Sequence, residues 1–133
     1  MTRTARGTYE QREGLTPAPT VRIAVGFGRD RVVALEATVD TGSDICVFPM
    51  ESLRSVLPGE PETILEIRYL EGDSHNAPAY FPSITLGDLR ETRVAVAVID
   101  GGVPVLGRSL LNRLHLELDA GQNLVALKSS QSA

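Results

Sequence analysis

The 133 residues include only one cysteine, Cys46, and one lysine, Lys128. A lone cysteine forms no internal disulfide and has no second thiol with which to hold zinc. The two histidines, His75 and His115, stand forty residues apart and give no metal-ligand spacing. The 13 basic residues are outnumbered by 17 acidic ones, for a formal charge of -4, and they form no stripe able to neutralise phosphates. Apolar runs such as Val94 to Ile99 fall far short of the roughly 18 residues a membrane helix needs. The stretch from Met1 to Gly7 carries charge but no apolar segment follows it, so no secretory signal is expected. These absences point to a soluble, cytoplasmic protein in a reducing compartment, with no metal, no cofactor, no membrane and no nucleic acid as partner. Arginine in place of lysine suggests a genome rich in G and C, hence a bacterial source.

What is present is an ordinary globular composition, 42% hydrophobic and 23% charged. The length suits one domain with one modest core. Roughly a third of the surface of such a chain stays exposed, so a partner subunit would help a site built on it. Residues 1–19, polar and broken by Gly7, Gly14, Pro17 and Pro19, read as a flexible arm. Residues 20–128 read as the domain, and 129–133 as a loose tail. Within the domain the pattern is mostly period two. Val21, Ile23, Val25 and Phe27 alternate with polar or small residues, as do Val33, Leu35, Ala37 and Val39 after a turn at Gly28 to Asp30. Thr63 to Leu70, Thr92 to Ile99, Val103 to Leu106 and a final hairpin around Ala120-Gly121 add further strands. Glu51 to Leu57 and Ser109 to Leu114 are expected as short helices. With no βαβ repeat, the fold class is all-β: a small closed barrel or folded sheet with one or two short helices.

Two segments carry chemistry. The first, Asp40-Thr41-Gly42-Ser43-Asp44, follows directly on an alternating strand and sets one acid on a tight loop. Gly42 there permits a close backbone approach or a positive φ. The second, Val103-Pro104-Val105-Leu106-Gly107-Arg108, runs apolar into Gly-Arg and then a short helix, and its Gly107 lies 67 residues after Asp40. Gly107 would let an apolar strand pass closely beside the first loop.

In these two segments and their order the chain resembles the retropepsin-like (retroviral-type) aspartic protease family, over roughly residues 20–120. The resemblance implies a homodimer in which Asp40 of each subunit forms the active pair, with no cofactor and a peptide or unfolded protein as substrate. It implies that Thr41 joins the hydrogen bonds between the loops and that the Gly42 carbonyl faces the substrate. Asp44 and Arg108 are expected as a buried pair bracing the floor, with Gly107 supporting the site. The flap is expected at about 68–81, where Tyr69, Gly72 and His75, together with Ser43 and Asp44 from the floor, are candidate substrate contacts.

Three features depart from the retroviral pattern, one of them a longer C-terminal segment, His115 to Lys128, whose final hairpin would build the dimer interface in a different way. The flap region has a single glycine, Gly72, and Ser43 follows Gly42, where its hydroxyl could donate to Asp40 and favour acid pH. The expected activity is that of an aspartic endopeptidase. The alternative is a catalytically silent dimerisation or peptide-binding module on the same fold. Cys46, in an apolar strand, is expected in the core, and Leu110, Leu111 and Leu114 as a buried stripe.

Overall fold

The computed structural model describes residues 2–11, 14–68 and 72–129. The chain builds β1 (Thr4–Glu10), β2 (Ala18–Gly26), β3 (Val32–Val39), β4 (Cys46–Pro49), the single-turn helix α1 (Met50–Leu53), β5 (Thr63–Arg68) and β6 (Ser74–Tyr80). It continues with β7 (Ser83–Leu86), β8 (Leu89–Glu91), β9 (Val96–Ile99), β10 (Val105–Leu106), α2 (Arg108–Leu111), β11 (Leu114–Asp119) and β12 (Leu124–Ser129). The strands form one folded, unclosed sheet in the order β11-β12-β1-β2-β3-β10-β4-β9-β6-β5, with the β7–β8 hairpin branching from β2. Of the two all-β arrangements the sequence allowed, the folded sheet is the one formed.

Alternation decides which face each strand buries. Val21, Ile23 and Val25 of β2 are at most 2% exposed, while Arg22 between them faces solvent. The core they enter is completed by Phe48, Ile84, Leu86, Val96 and Leu106. Leu110, Leu111 and Leu114 close it from the side of α2 as the expected stripe. Cutting any of the fully buried leucines back to alanine would cost about 2–5 kcal/mol. Both helices are shorter than their sequence spans, at four residues each. The chain leaves α1 at Leu53 in turns closed by bonds from Val56 and Leu57 to the Leu53 carbonyl.

The expected arm over 1–19 is corrected. Residues 4–10 are strand β1, paired with β12 through Thr4–Gly7 and with β2 through Thr8–Glu10, and Ala18 and Pro19 already belong to β2. Only Ala5 of β1 is buried, so no apolar alternation announces this strand. Backbone pairing on both edges makes it. Gly7 allows it, since a Cβ there would sit 1.9 Å from the Thr20 carbonyl oxygen. At the other end Ser129 belongs to β12, and the rest of the expected tail lies outside the described residues.

Strand β10 is only two residues long, yet it organises the region around Asp40. It lies parallel to β3, with Thr38 beside Val105 and Val39 beside Leu106. On its other edge it runs antiparallel to β4 through Val105 and Val47. The chain therefore leaves β3, turns through residues 40–45 and returns as β4 on the far side of β10.

Candidate active site

Three backbone hydrogen bonds hold the loop that carries Asp40, one within it and two to the segment from Leu106 to Arg108. The Asp40 N–H donates to the Leu106 carbonyl at 3.0 Å and the Ser43 N–H to the Asp40 carbonyl at 3.2 Å. From the second segment the Arg108 N–H reaches the Ser43 carbonyl at 2.8 Å. Such bonds fix a loop as firmly as a strand, because each buried backbone group left unpaired would cost free energy. Gly107 makes the approach possible: a Cβ at that position would stand 2.2 Å from the Ile45 carbonyl oxygen and 2.8 Å from that of Ser43. No side chain fits there.

The Asp40 carboxylate is exposed, and its Oδ1 accepts the Gly42 N–H at 2.9 Å. Gly42 serves this close contact, a Cβ there lying 3.1 Å from Asp40 Oδ1; its φ is not in the left-handed range. The Ser43 hydroxyl donates to the Ile45 carbonyl at 2.7 Å. Its one proton is thus committed inside the loop, which corrects the expected bond from Ser43 to Asp40.

Arg108 and Asp44 do meet, with Arg108 Nη2 donating to Asp44 Oδ1, while Arg108 Nη1 donates to the Thr41 carbonyl at 2.6 Å. The pair is not buried as expected: the side chains are 40% and 86% exposed in the single chain. In that setting the charge pair alone is worth at most about 1 kcal/mol. The larger contribution is geometric, since one planar guanidinium spans the loop at both Thr41 and Asp44.

Beneath the loop lies Cys46, fully buried. Its N–H donates to Ser109 Oγ at 3.0 Å, Ser109 Oγ bonds the Ala95 carbonyl at 2.8 Å, and the Gly107 N–H points at Sγ from 3.4 Å. Burial pushes the thiol above its ordinary pKa, with Ser109 and the Gly107 backbone pulling weakly the other way. As expected, Cys46 is a core residue.

An open cleft of about 760 Å³ separates this floor from the hairpin of β5 and β6. Asp40, Gly42, Ser43 and Asp44 line one side and Leu65 to Arg68 of β5 the other, with Ile45, Val47, Ile99 and Val105 as an apolar lining between them. Of the expected flap contacts, Gly72 (φ +91) and His75 lie outside this lining, with His75 placed across from Ile67 in the hairpin. Tyr69 lies outside the described residues. Tyr80 is buried with its ring edge-on to Phe27, 5.9 Å between centroids, so it packs the sheet rather than a pocket. The sequence reading missed the wall formed by Leu65 to Arg68 and the apolar lining. The usable signal was the alternation of Leu65 and Ile67 with Glu66 and Arg68 on a strand facing the motif.

No family model and no curated protein sequence matches this chain. Solved structures do. A retropepsin-like aspartic protease from Rickettsia conorii superposes with a TM-score of 0.66 at 19% identity, covering 97% of this chain and 94% of that one. The EIAV protease in complex with the inhibitor HBY-793 superposes with a TM-score of 0.54 at 19% identity, covering 77% of this chain and 92% of that one. With the β10 strand set between β3 and β4, the acid loop above Gly107 and a hairpin across the cleft, the chain has the fold of the retropepsin-like aspartic proteases.

Proposed function

We propose that this protein is an aspartic endopeptidase that works as a homodimer, the Asp40 carboxylates of two subunits forming its catalytic pair. The observation that carries the reading is the placement of Asp40: an exposed carboxylate on a loop tied down by three backbone bonds, opening into a peptide-sized cleft. A rigid loop holding one acid is half of a general acid–base pair. Two such carboxylates brought within hydrogen-bond reach cannot both ionise cheaply, so they share one proton. The ionised member takes a proton from water as the water attacks the scissile carbonyl. The neutral member donates to the carbonyl oxygen, and a proton then passes to the leaving amide nitrogen as the C–N bond breaks. The two groups titrate as one unit, so activity is expected to be bell-shaped in pH.

Thr41, Gly42, Gly107 and Arg108 serve in this reading as the frame that holds the acid. Ser43 and Asp44 bind substrate from the floor, and β5, whose outer edge no strand covers among the described residues, offers a line along which an extended peptide can lie, its side chains alternating between walls. The residues from 68 to 81, with Tyr69, Gly72 and His75, would belong to the closing hairpin. The substrate is a peptide or a flexible protein segment. The protein acts without a cofactor.

Digestion of a mixed peptide library between about pH 3 and pH 7 by the wild type and by Asp40→Asn tests the proposal. Cleavage is expected from the wild type and should fall roughly 10²- to 10⁴-fold in the variant. Peptides left intact by a folded, dimeric wild type would overturn it and favour the peptide-binding module.

A further inference from the structure

The face of the sheet turned away from the core holds a second cavity, which the cleft chemistry leaves unused. Along β2 the side chains of Val21, Ile23 and Val25 enter the core, so Arg22, Ala24 and Gly26 lie on the outward face. Gly26 stands between Val32 of β3 and Ser83 of β7, and Ala24 stands beside Thr85 of β7, which in turn faces Arg90 of β8. Two small residues in the middle of four strands leave a hollow of about 330 Å³. At Gly26 a Cβ would already stand 3.0 Å from the Ser83 hydroxyl oxygen. The turn from β2 to β3 supplies the last wall. Gly28, at φ +114, reverses the chain, and the Phe27 N–H closes the turn on the Arg31 carbonyl at 2.8 Å, which brings Arg29 to the same hollow.

This hollow is positively charged in a chain whose formal charge is -4. Arg54, Arg68, Arg93, Arg108 and Arg113 each have a carboxylate partner, whereas Arg29 and Arg90 have none among the described residues. No acid lines the hollow. Glu91, next to Arg90 in the chain, alternates to the other face of β8 and meets Arg113 at 3.5 Å. Asp30 and Asp88 occupy the adjoining turns, and Glu36 stands opposite Arg22 further along the face, all outside the lining. Two guanidiniums around one hollow repel each other, and an anion between them turns that repulsion into attraction.

We infer that the hollow binds a small phosphate monoester, its phosphate taken by Arg29, Arg90 and the Thr85 hydroxyl and its organic part lying over Ala24 and Val32. Two fixed cations match the charge of a phosphate monoester, whereas a carboxylate would leave one of them unmatched. Val32 is 53% exposed, an apolar surface that the organic part would cover. The Ser83 hydroxyl is held only by a long bond of 3.4 Å to the Gly26 carbonyl and completes the polar rim. The site is separate from the cleft, since β3 runs from Val32 at the hollow to Val39 beside Asp40, a length of roughly 25 Å. The inference therefore rests on the fold and not on the peptidase reading.

The test is isothermal titration calorimetry of the full chain at low salt, with phenyl phosphate, inorganic phosphate and benzoate as probes. Saturable binding of one phenyl phosphate per chain is expected, about tenfold tighter than either of the other two. Arg29→Gln and Arg90→Gln should each weaken it about tenfold. Arg31→Gln removes a neighbouring charge outside the lining and should change affinity by less than about twofold. Asp40→Asn should bind as the wild type does, so this site stands or falls apart from the peptidase. Equal weakening by Arg31→Gln would reduce the binding to diffuse charge and overturn the site. Inorganic phosphate or benzoate binding as tightly as phenyl phosphate would overturn the ligand class. A wild type that takes up no phenyl phosphate at about 10 mM would overturn the inference as a whole.

Discussion

The floor and the hairpin that faces it across the cleft are built in opposite ways. On the floor, β4 is buried at Cys46, Phe48 and Pro49, and the Asp40 loop above it is held by backbone bonds reaching to Leu106 and Arg108. Across the cleft β5 has no buried residue and among the described residues pairs with β6, which in turn pairs with β9 through Ala79 and Tyr80. A segment with little buried apolar area and one paired edge opens locally at low cost, whereas the floor opens only with the core. The difference teaches where each task can be placed. A carboxylate that must meet its copy within hydrogen-bond distance belongs on the wall that cannot shift. A wall that admits substrate belongs where displacement is cheap.

The sharpest way to break this comparison is the same substitution on both walls. Gly107→Ala forces a Cβ onto the Ile45 carbonyl, and about 3 kcal/mol or more of stability is expected to be lost in urea titration. Gly72→Ala meets open space and suffers only from its positive φ, so about 1 kcal/mol is expected. Equal losses would mean that the floor yields as readily as the hairpin.

Arg108→Gln comes next. It removes the bonds to the Thr41 carbonyl and to Asp44, and about 1 kcal/mol of stability should go, the pair being solvent-exposed. Peptide cleavage should fall about tenfold, because the loop loses its brace while Asp40 remains. A loss of stability with cleavage unchanged would assign Arg108 to the fold alone.

Cys46 reports on the floor through pH. Its thiol is raised above the ordinary value of 9.0 by burial, so above that pH the unfolded chain gives up a proton that the folded chain keeps. The contribution is complete below pH 9.0 and is lost as pH rises through the folded value, with a slope of at most about 1.4 kcal/mol per pH unit. Urea titrations of the wild type and of Cys46→Ala between about pH 8 and pH 10.5 should therefore diverge in slope. Native Cys46 should also resist thiol reagents until the protein unfolds. Parallel slopes would mean that the floor admits water.

The smallest effect belongs to the hairpin. Arg68 bonds Glu66 at 3.2 Å with both side chains largely exposed, and Arg68→Gln should change stability by less than about 0.5 kcal/mol. A larger change would show that the hairpin is braced more firmly than its burial indicates.

Much of this architecture was legible before the structure, and for local reasons. The apolar positions of β2 and β3, the leucine stripe of α2 and the core placement of Cys46 follow from period and composition, because one buried face imposes a repeat on the sequence. The two segments at Asp40 and Gly107 were legible because each sets a glycine within two residues of a charged one at the end of an apolar strand. Strand β1 was not: its partners, β12 and β2, hold it by backbone groups that every residue carries, leaving no side-chain signature. The use of the Ser43 hydroxyl was not legible either, since it depends on whether Asp40 Oδ1 or the Ile45 carbonyl stands in reach. The exposure of the Asp44–Arg108 pair likewise depends on what covers it.

The sequence by itself thus determined the all-β class, the acid loop and the glycine that must lie beneath it. The tertiary structure alone decided that β10 threads between β3 and β4, that Leu65 to Arg68 line the same cleft as the acid, and that β5 and β11 end the sheet path among the described residues. Strand order and free edges arise from pairings between residues far apart in the chain, and the hydrogen-bonding groups that make them are the same at nearly every position.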